Sequence, residues 1–385
     1  MFQTPPVASN PGTCTGSEGA GISTLQALDW SFAKSTTEPL DRIHPYPAKF
    51  IPEIPSAVLD AFPPAPGSRV LDPFMGSGTT LVEAQKRGFN VSGIDLNPIA
   101  SLITRVRTAS RPNDLLGTAE LVLERARSMA SPAIPPIPRL THWFKPGVQD
   151  AIARLRMAIE SAPEASKPAL EVALSSILVR VSNQESDTRY AAIDKAINKE
   201  GVFAAFALAC RRLDDALASR RYPLTDTQII QSDVLKVRPQ DIKGPIGAVI
   251  TSPPYPNAYE YWLYHKYRMW WLGHDPLAVK AAEIGARAHF FKKNHHTADD
   301  FVRQMQRCFD LLCAVLADDG YICFVVGRSV IHGQIIDNAA IISDVAEAQG
   351  LRSVFSVERA IATTKKSFNL SHANIKTEHV LVFAR

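Results

Sequence analysis

The chain has 385 residues, 46% of them hydrophobic and 21% charged, with a formal charge of +4 and a pI near 8.7. That composition supports a large core in one big domain or two, excludes a disordered or collagen-like chain, and permits a nucleic-acid partner without arguing for one. No run approaches the roughly 18 uninterrupted apolar residues of a membrane span, and no basic region followed by an apolar stretch opens the chain, so neither an anchor nor a secretory signal is expected. The five cysteines (Cys14, Cys210, Cys308, Cys313, Cys323) include no C-x-x-C pair, which suits reduced thiols in a cytoplasmic protein better than disulfides or zinc.

Residues 1–37 are rich in Gly, Ser, Thr and Pro and poor in apolar residues, so a disordered tail is expected there. From Ser68 strands and helices alternate. "SRVLDPF" is a short strand, "GTTLVEAQKRG" a helix ended by Gly88, and "NVSGIDLN" a second strand ending at Asp95. Residues 101–222 read as helical throughout, as in "LLGTAELVLERARSMA", "GVQDAIARLRMAIES" and "KPALEVALSSILVRV". Long loops without structure of their own are uncommon. This stretch is therefore expected to be a helical subdomain inserted into a sheet domain of residues 38–100 and 223–385. Strands resume with "TQIIQSDVL" and "IGAVITS", and "YICFVVG" follows the helix "DDFVRQMQRCFDLLCAVLADDG". A helix at "IIDNAAIISDVAEAQG" precedes "RSVFSVERAI", and "EHVLVFAR" closes the chain. The expected fold is α/β, a doubly wound, mostly parallel seven-stranded sheet. No helix separates the last two strands, so an antiparallel pair is expected at that edge, with the last strand antiparallel.

"VLDPFMGSGTTLVEA" puts Gly76 and Gly78 between the first strand and its helix, where doubly wound folds bind ligands. Thr79 stands where a phosphate loop needs Lys, and the third glycine of a dinucleotide loop is missing, so a nucleoside without a phosphate chain is preferred. Asp95, roughly 20 residues on, suits a ribose diol, because a carboxylate accepts from both hydroxyls. A tight turn with a capping Asp95 is the plain structural alternative.

Together, "DPFMGSGTT" and "GIDLNP" resemble the cofactor-binding motifs of the S-adenosylmethionine-dependent amino-methyltransferases that act on DNA, and "RIHPYPAKFIPEI" is similar to the segment preceding that loop in the family. The resemblance implies a Rossmann-like methyltransferase sheet and S-adenosylmethionine as cofactor. Tyr46, Lys49, Asp72, Phe74, Gly76, Gly78 and Thr79 would surround the methionine moiety, Asp95 the ribose and Asp233 the adenine amino group. For His44, Tyr46 and Lys49, a Pro-rich segment packing on the sheet fits nearly as well.

After the fourth strand comes "SPPY", Ser252 to Tyr255, which matches the family's catalytic motif in the form typical of cytosine-N4 enzymes. An exocyclic amine is a poor nucleophile because its lone pair is delocalised into the ring. Acceptors aimed at its hydrogens localise that pair, and Ser252 can offer its hydroxyl while the Pro253 carbonyl, held by rigid Pro254, offers a second. Tyr255 supplies a flat face for an extruded base, worth about 1–3 kcal/mol of stacking against a flipping cost of similar size. No metal is required, and adjacent His295 and His296 lack metal-ligand spacing. None of the five cysteines follows a proline, which drops a carbon-5 cytosine mechanism.

Tyr259, Trp262, Tyr267, Trp270 and Trp271 could line a base pocket, though their spacing favours a helix burying rings against the sheet. Lys280, Arg287, Lys292 and Lys293, and Arg359, Lys365, Lys366 and Lys376, would sit near the carboxyl edge, as phosphate contacts or as solvated charge. Arg180, Asn183, Gln184 and Arg189 in the insertion suit base-edge contacts or turns equally. Asp233 and Ser252 are too close for the family's usual target-recognition region to lie between them, so the resemblance covers the sheet and not the insertion. The expected function is site-specific transfer of a methyl group to the N4 of a flipped cytosine in double-stranded DNA, in a prokaryotic or phage setting, with a cognate restriction endonuclease as a possible partner. Adenine-N6 transfer, RNA guanine-N2 transfer and a non-catalytic DNA-binding protein are the alternatives.

Overall fold

Parallel strands covered by helices on both faces have no solvent side, and the two strands at the centre of this sheet are buried at every residue: β1 (Arg69–Asp72) and β4 (Ile246–Thr251). The computed structural model describes residues 16–33, 37–187, 189–256, 260–290, 295–361 and 377–385. The other strands are β2 (Asn90–Asp95), β3 (Thr227–Gln231), β5 (Leu316–Gly327), a hairpin of β6 (Ser329–Ile331) and β7 (Gln334–Ile336), and β8 (Arg352–Ala360) and β9 (Thr377–Ala384). The seven-stranded sheet has the order β3-β2-β1-β4-β5-β9-β8. Its first five strands are parallel, and β9 is antiparallel to both β5 and β8. The antiparallel pairing is as expected, but β9 lies inside the sheet and β8 forms the edge. The winding direction reverses between β1 and β4, which leaves their carboxyl ends side by side at the switch point.

The two-residue period of the strands sorts the core. Val70, Ala248 and Ile250 face α2 (Glu53–Ala61) and α3 (Thr79–Lys86), while Leu71 and Val249 face α13 (Ala298–Val315) and α14 (Asn338–Ala348). After β2 come α4 (Pro98–Thr108), α5 (Leu115–Ser128), α6 (Leu140–Trp143), α7 (Pro146–Glu160), α8 (Lys167–Val181) and α9 (Lys199–Ala218). Helices α5 to α9 share an apolar core that also takes Tyr267 and Trp271 from α10 (Tyr261–Trp271). Two short helices, α11 (Pro276–Ala282) and α12 (Arg287–Phe290), complete the order. Among the described residues, no helix is long and apolar enough to cross a membrane.

Three local readings of the sequence are corrected. The expected disordered tail contains α1 (Gly16–Gln26). Leu25 is fully buried, Trp30 stacks on Phe355 at 5.7 Å, and Glu18 pairs with Arg352 at 2.7 Å. The small residues that suggested disorder have a packing role: a Cβ on Gly21 would lie 2.4 Å from the Ala61 carbonyl of α2. Second, the hairpin β6–β7 takes the start of the stretch read as helix, and α14 begins only where Asp337 caps the Ala339 and Ala340 amides. Third, Arg359 is no phosphate contact; it is buried, donates to the Trp30 carbonyl at 2.8 Å and pairs with Glu378. Lys365, Lys366 and Lys376 lie outside the described residues, as do Lys292, Lys293 and Tyr259.

Replacing Leu25 by Ala removes a fully buried side chain, and a loss of about 2–4 kcal/mol is expected in urea unfolding. A tail that does not pack would show no change.

Candidate active site

Where β1 and β4 end, one hydrogen bond ties them together: Thr251 Oγ1 donates to Asp72 Oδ1 at 2.6 Å. The same carboxylate oxygen accepts the Phe74 amide at 3.0 Å, so Asp72 fixes the first residues of the glycine loop. Gly76 (φ 50°) and Gly78 (φ 80°) are both left-handed, the conformation that favours glycine. Helix α4 braces the loop from behind. Thr104 Oγ1 donates to the Gly76 carbonyl at 3.0 Å, and buried Arg107 donates to the Ser77 carbonyl at 2.6 Å while pairing with Asp41. Asp95, at the end of β2, accepts the Gly76 amide at 2.9 Å and the Asn97 amide at 2.7 Å.

This frame encloses a cavity with about 920 Å³ of atom-free space, its open mouth included. Asp72, Phe74, Gly76 and Thr79 line it from the glycine loop, and Asp95 and Asp233 from the ends of the neighbouring strands. Tyr46 and Lys49 close one side, and Ser252 and Pro254 of the turn open onto the same space. Gly78, Pro253 and Tyr255 are not among the lining residues. Gly78 backs onto α4, where a Cβ would meet Thr104 at 2.6 Å. Pro253 is buried under the turn. Tyr255 packs partly into the core, its hydroxyl donating to the Val325 carbonyl at 3.2 Å. The Ser252 Oγ lies 3.2 Å from the Tyr255 hydroxyl. Since the tyrosine proton goes to a carbonyl that can only accept, Ser252 is the donor of that bond, and the lone pairs of its hydroxyl oxygen remain free to accept from a ligand.

Four carboxylates line the hollow, and burial raises three of them. Burial raises Asp72 to about 6 against the hydrogen bonds from Thr251 and Phe74, and raises Asp95 to about 7 against the amides of Asn97 and Gly76. The third, Glu283, follows α11 and was not anticipated. Its two oxygens accept the Tyr261 and Trp262 amides at 2.9 and 2.8 Å, capping α10, and burial pushes it up to about 8. The Lys49 ammonium does not neutralise this cluster, since it donates to the Asp41 and His44 carbonyls, and burial lowers it to about 8. Aromatic rings complete one wall: Tyr46 and Tyr261 both line the cavity and stack at 6.0 Å. Trp262, Tyr267 and Trp271 are buried in cores, as their spacing favours, and neither they nor Trp270 line the cavity.

Residues 24–104 match the family model described as DNA methylase. That span runs from the end of α1 through the glycine loop to α4. Over 86 residues the chain is 42% identical to the type II methyltransferase M.MjaII of Methanocaldococcus jannaschii, covering 21% of this chain and 16% of that one. It is 28% identical over 166 residues to M.MvaI of Kocuria varians, covering 40% and 37%, and 24% identical over 257 residues to M.AvaI of Nostoc, covering 60% and 53%. These matches support placing the chain with the DNA amino-methyltransferases. It spans about half the length, or less, of these family relatives.

Thr251 and Glu283 were missed for different reasons. Thr251 immediately precedes the recognised motif, but nothing in a linear string says that β1 and β4 are neighbours. Glu283 stands 28 residues after Tyr255 in an unremarkable helical stretch, and only the fold returns it to the cavity.

Thr251→Val keeps the shape and leaves the buried Asp72 oxygen without its hydroxyl donor. A loss of about 1–3 kcal/mol in urea unfolding is expected. Glu283 gives a pH signature. Its folded pKa of about 8 lies above the ordinary 4.5, so the unfolded chain ionises first and this residue's contribution falls as pH rises between those values. Glu283→Gln resembles the protonated acid, so the variant should gain on the parent between pH 5 and 8. Parallel urea midpoints across that range would expose the idea as wrong.

Proposed function

We propose that the chain is the catalytic unit of a type II DNA methyltransferase that acts on the exocyclic amine of a flipped base, with N4 of cytosine as the target. The observation that carries this reading is that Ser252 of the SPPY turn opens into the same cavity as the glycine loop, Asp95 and Asp233. The donor set suits S-adenosylmethionine, which would supply an electrophilic methyl group on a sulfonium centre. Asp72, Asp95 and Glu283 line the hollow at a cost in desolvation, and a cationic ligand offsets that cost. Asp95 already accepts two backbone amides, yet a carboxylate has about four acceptor sites, which leaves room for a ribose diol. Asp233 caps Leu235 with one oxygen, and its place on the lining suits recognition of an adenine amino group. Tyr46 and Tyr261 supply apolar faces at the side of the hollow.

The proposed role of the turn is to prepare the amine. Ser252 donates its proton to the Tyr255 hydroxyl, which in turn donates to the Val325 carbonyl, so the serine oxygen is oriented as an acceptor before a base arrives. The Pro253 carbonyl, stiffened by Pro254, is the proposed second acceptor. On this account Tyr255 acts through its hydroxyl as well as through its ring. The serine in the motif is what favours cytosine N4 over adenine N6.

Incubation with labelled S-adenosylmethionine and mixed DNA, followed by nucleoside analysis, is expected to place label in N4-methylcytosine. Label in N6-methyladenine would overturn the choice of base, label confined to RNA the choice of substrate, and no label the enzyme reading itself. Ser252→Ala should lower kcat on the order of 10²–10³-fold with cofactor affinity retained, since it removes an oriented acceptor. Tyr255→Phe keeps the ring and loses only the hydroxyl; full activity in that variant would count against the orienting chain.

A further inference from the structure

Beside the cavity, three cations gather around a group of aromatic rings of which Tyr190 is exposed. Lys266 lies on α10, five residues beyond the cavity-lining Tyr261, with its Nζ 4.3 Å from the centre of the Tyr190 ring and 5.1 Å from that of Tyr267. The two rings are nearly parallel, 6.5 Å apart, and Tyr190 is 43% exposed. Lys280 falls between Val279 and Ala282, which line the cavity, and its Nζ sits 4.6 Å over the Trp262 ring. Arg139 comes from the helical stretch. It heads α6, whose Trp143 packs on Tyr190 at 4.7 Å.

Two features set these cations apart. Among the described residues none of the three has a carboxylate partner, although most cations nearby do: Arg268 pairs with Asp187, Arg189 with Glu185 and Lys145 with Asp194. Lys266 is depressed to about 8, first by burial and then by the charges of Arg139 and Lys280, so the other two repel it. Arg139 also holds a left-handed backbone (φ 54°), an uncommon conformation for a residue with a side chain. Two lysines over aromatic rings next to residues of the cavity lining, with an arginine on a strained backbone near one of them, call for an anion with several charges.

We propose that Arg139, Lys266 and Lys280 seat the sugar–phosphate backbone of the DNA that flanks the target base, gripping it jointly from α10–α11 and the helical stretch. The proposal rests on the reading of the chain as a DNA methyltransferase. It gives the helical stretch a part in substrate binding through charge and not through base edges. Three of the four residues first considered for base reading serve otherwise, while Arg180 stays exposed: the Asn183 side-chain amide donates to the His142 carbonyl, Gln184 is buried, and Arg189 pairs with Glu185.

The test is anisotropy of a labelled mixed-sequence duplex titrated over a range of salt, with cofactor affinity measured calorimetrically on the same samples. Arg139→Gly, Lys266→Gln and Lys280→Gln are made singly and together. Each is expected to reduce the slope of log K against log salt by about 0.9, the value for one phosphate contact, and to raise KM for DNA. Cofactor affinity should stay as in the parent. Glycine at 139 suits the left-handed backbone, so a loss there cannot be attributed to misfolding. A triple variant with the parent's slope, alongside a parent that methylates DNA, overturns the seat and leaves the enzyme reading standing. A parent that neither binds DNA nor transfers methyl overturns both, and stronger salt-dependent binding of RNA than of DNA overturns the choice of partner.

Discussion

The hydroxyl–carboxylate bond between Thr251 and Asp72 is the constraint on which the rest of the site depends. It joins the ends of β4 and β1 where the winding of the sheet reverses, so the glycine loop and the Ser-Pro-Pro-Tyr turn are held by one buried contact. The carboxylate also takes the Phe74 amide, and its low-dielectric surroundings make each of these bonds count for more than in water.

The same economy recurs around the cavity. Asp95 takes two amides at the loop and at the start of α4, and Glu283 takes two at the start of α10. Each acid thus shapes backbone while presenting a carboxyl group to the hollow. The cost shows in their raised pKa values, and the neighbouring cation, Lys49, is turned to carbonyl oxygens and cannot offset it. A cavity built in this way is poised for a positively charged guest, which links the energetics of the empty fold to the proposed chemistry. Outside the lining the balance inverts, with Arg139 and Lys280 both repelling Lys266, as befits a surface proposed to meet phosphates.

Support for the loop comes from far along the chain. Arg107 and Thr104 of α4 hold the Ser77 and Gly76 carbonyls, and Arg107 also clasps Asp41 ahead of the Pro-rich segment. The N-terminal helix, hidden by its glycines, docks on α2 and the far edge of the sheet. The helical stretch shares its core with α10, the element that follows the Ser-Pro-Pro-Tyr turn. Changes in that core can therefore reach the turn through packing alone.

By itself, the sequence determined whatever depends on local pattern: the seven strands from apolar runs bounded by turn residues, the left-handed glycines after β1, the acid at the end of β2, and the rigid turn after β4. Those features are local because backbone preference and strand periodicity act over a few residues. Only the tertiary structure decided which polar groups meet. Thr251 finds Asp72 because β1 and β4 pair, Glu283 reaches the cavity because α10 and α11 fold back over it, and Tyr255 turns its hydroxyl to Val325 because β5 lies alongside. Composition misread residues 16–33, since glycines that permit close helix packing look the same in a string as glycines that prevent order. Contacts between distant residues are set by the whole core, and no window of sequence contains that core.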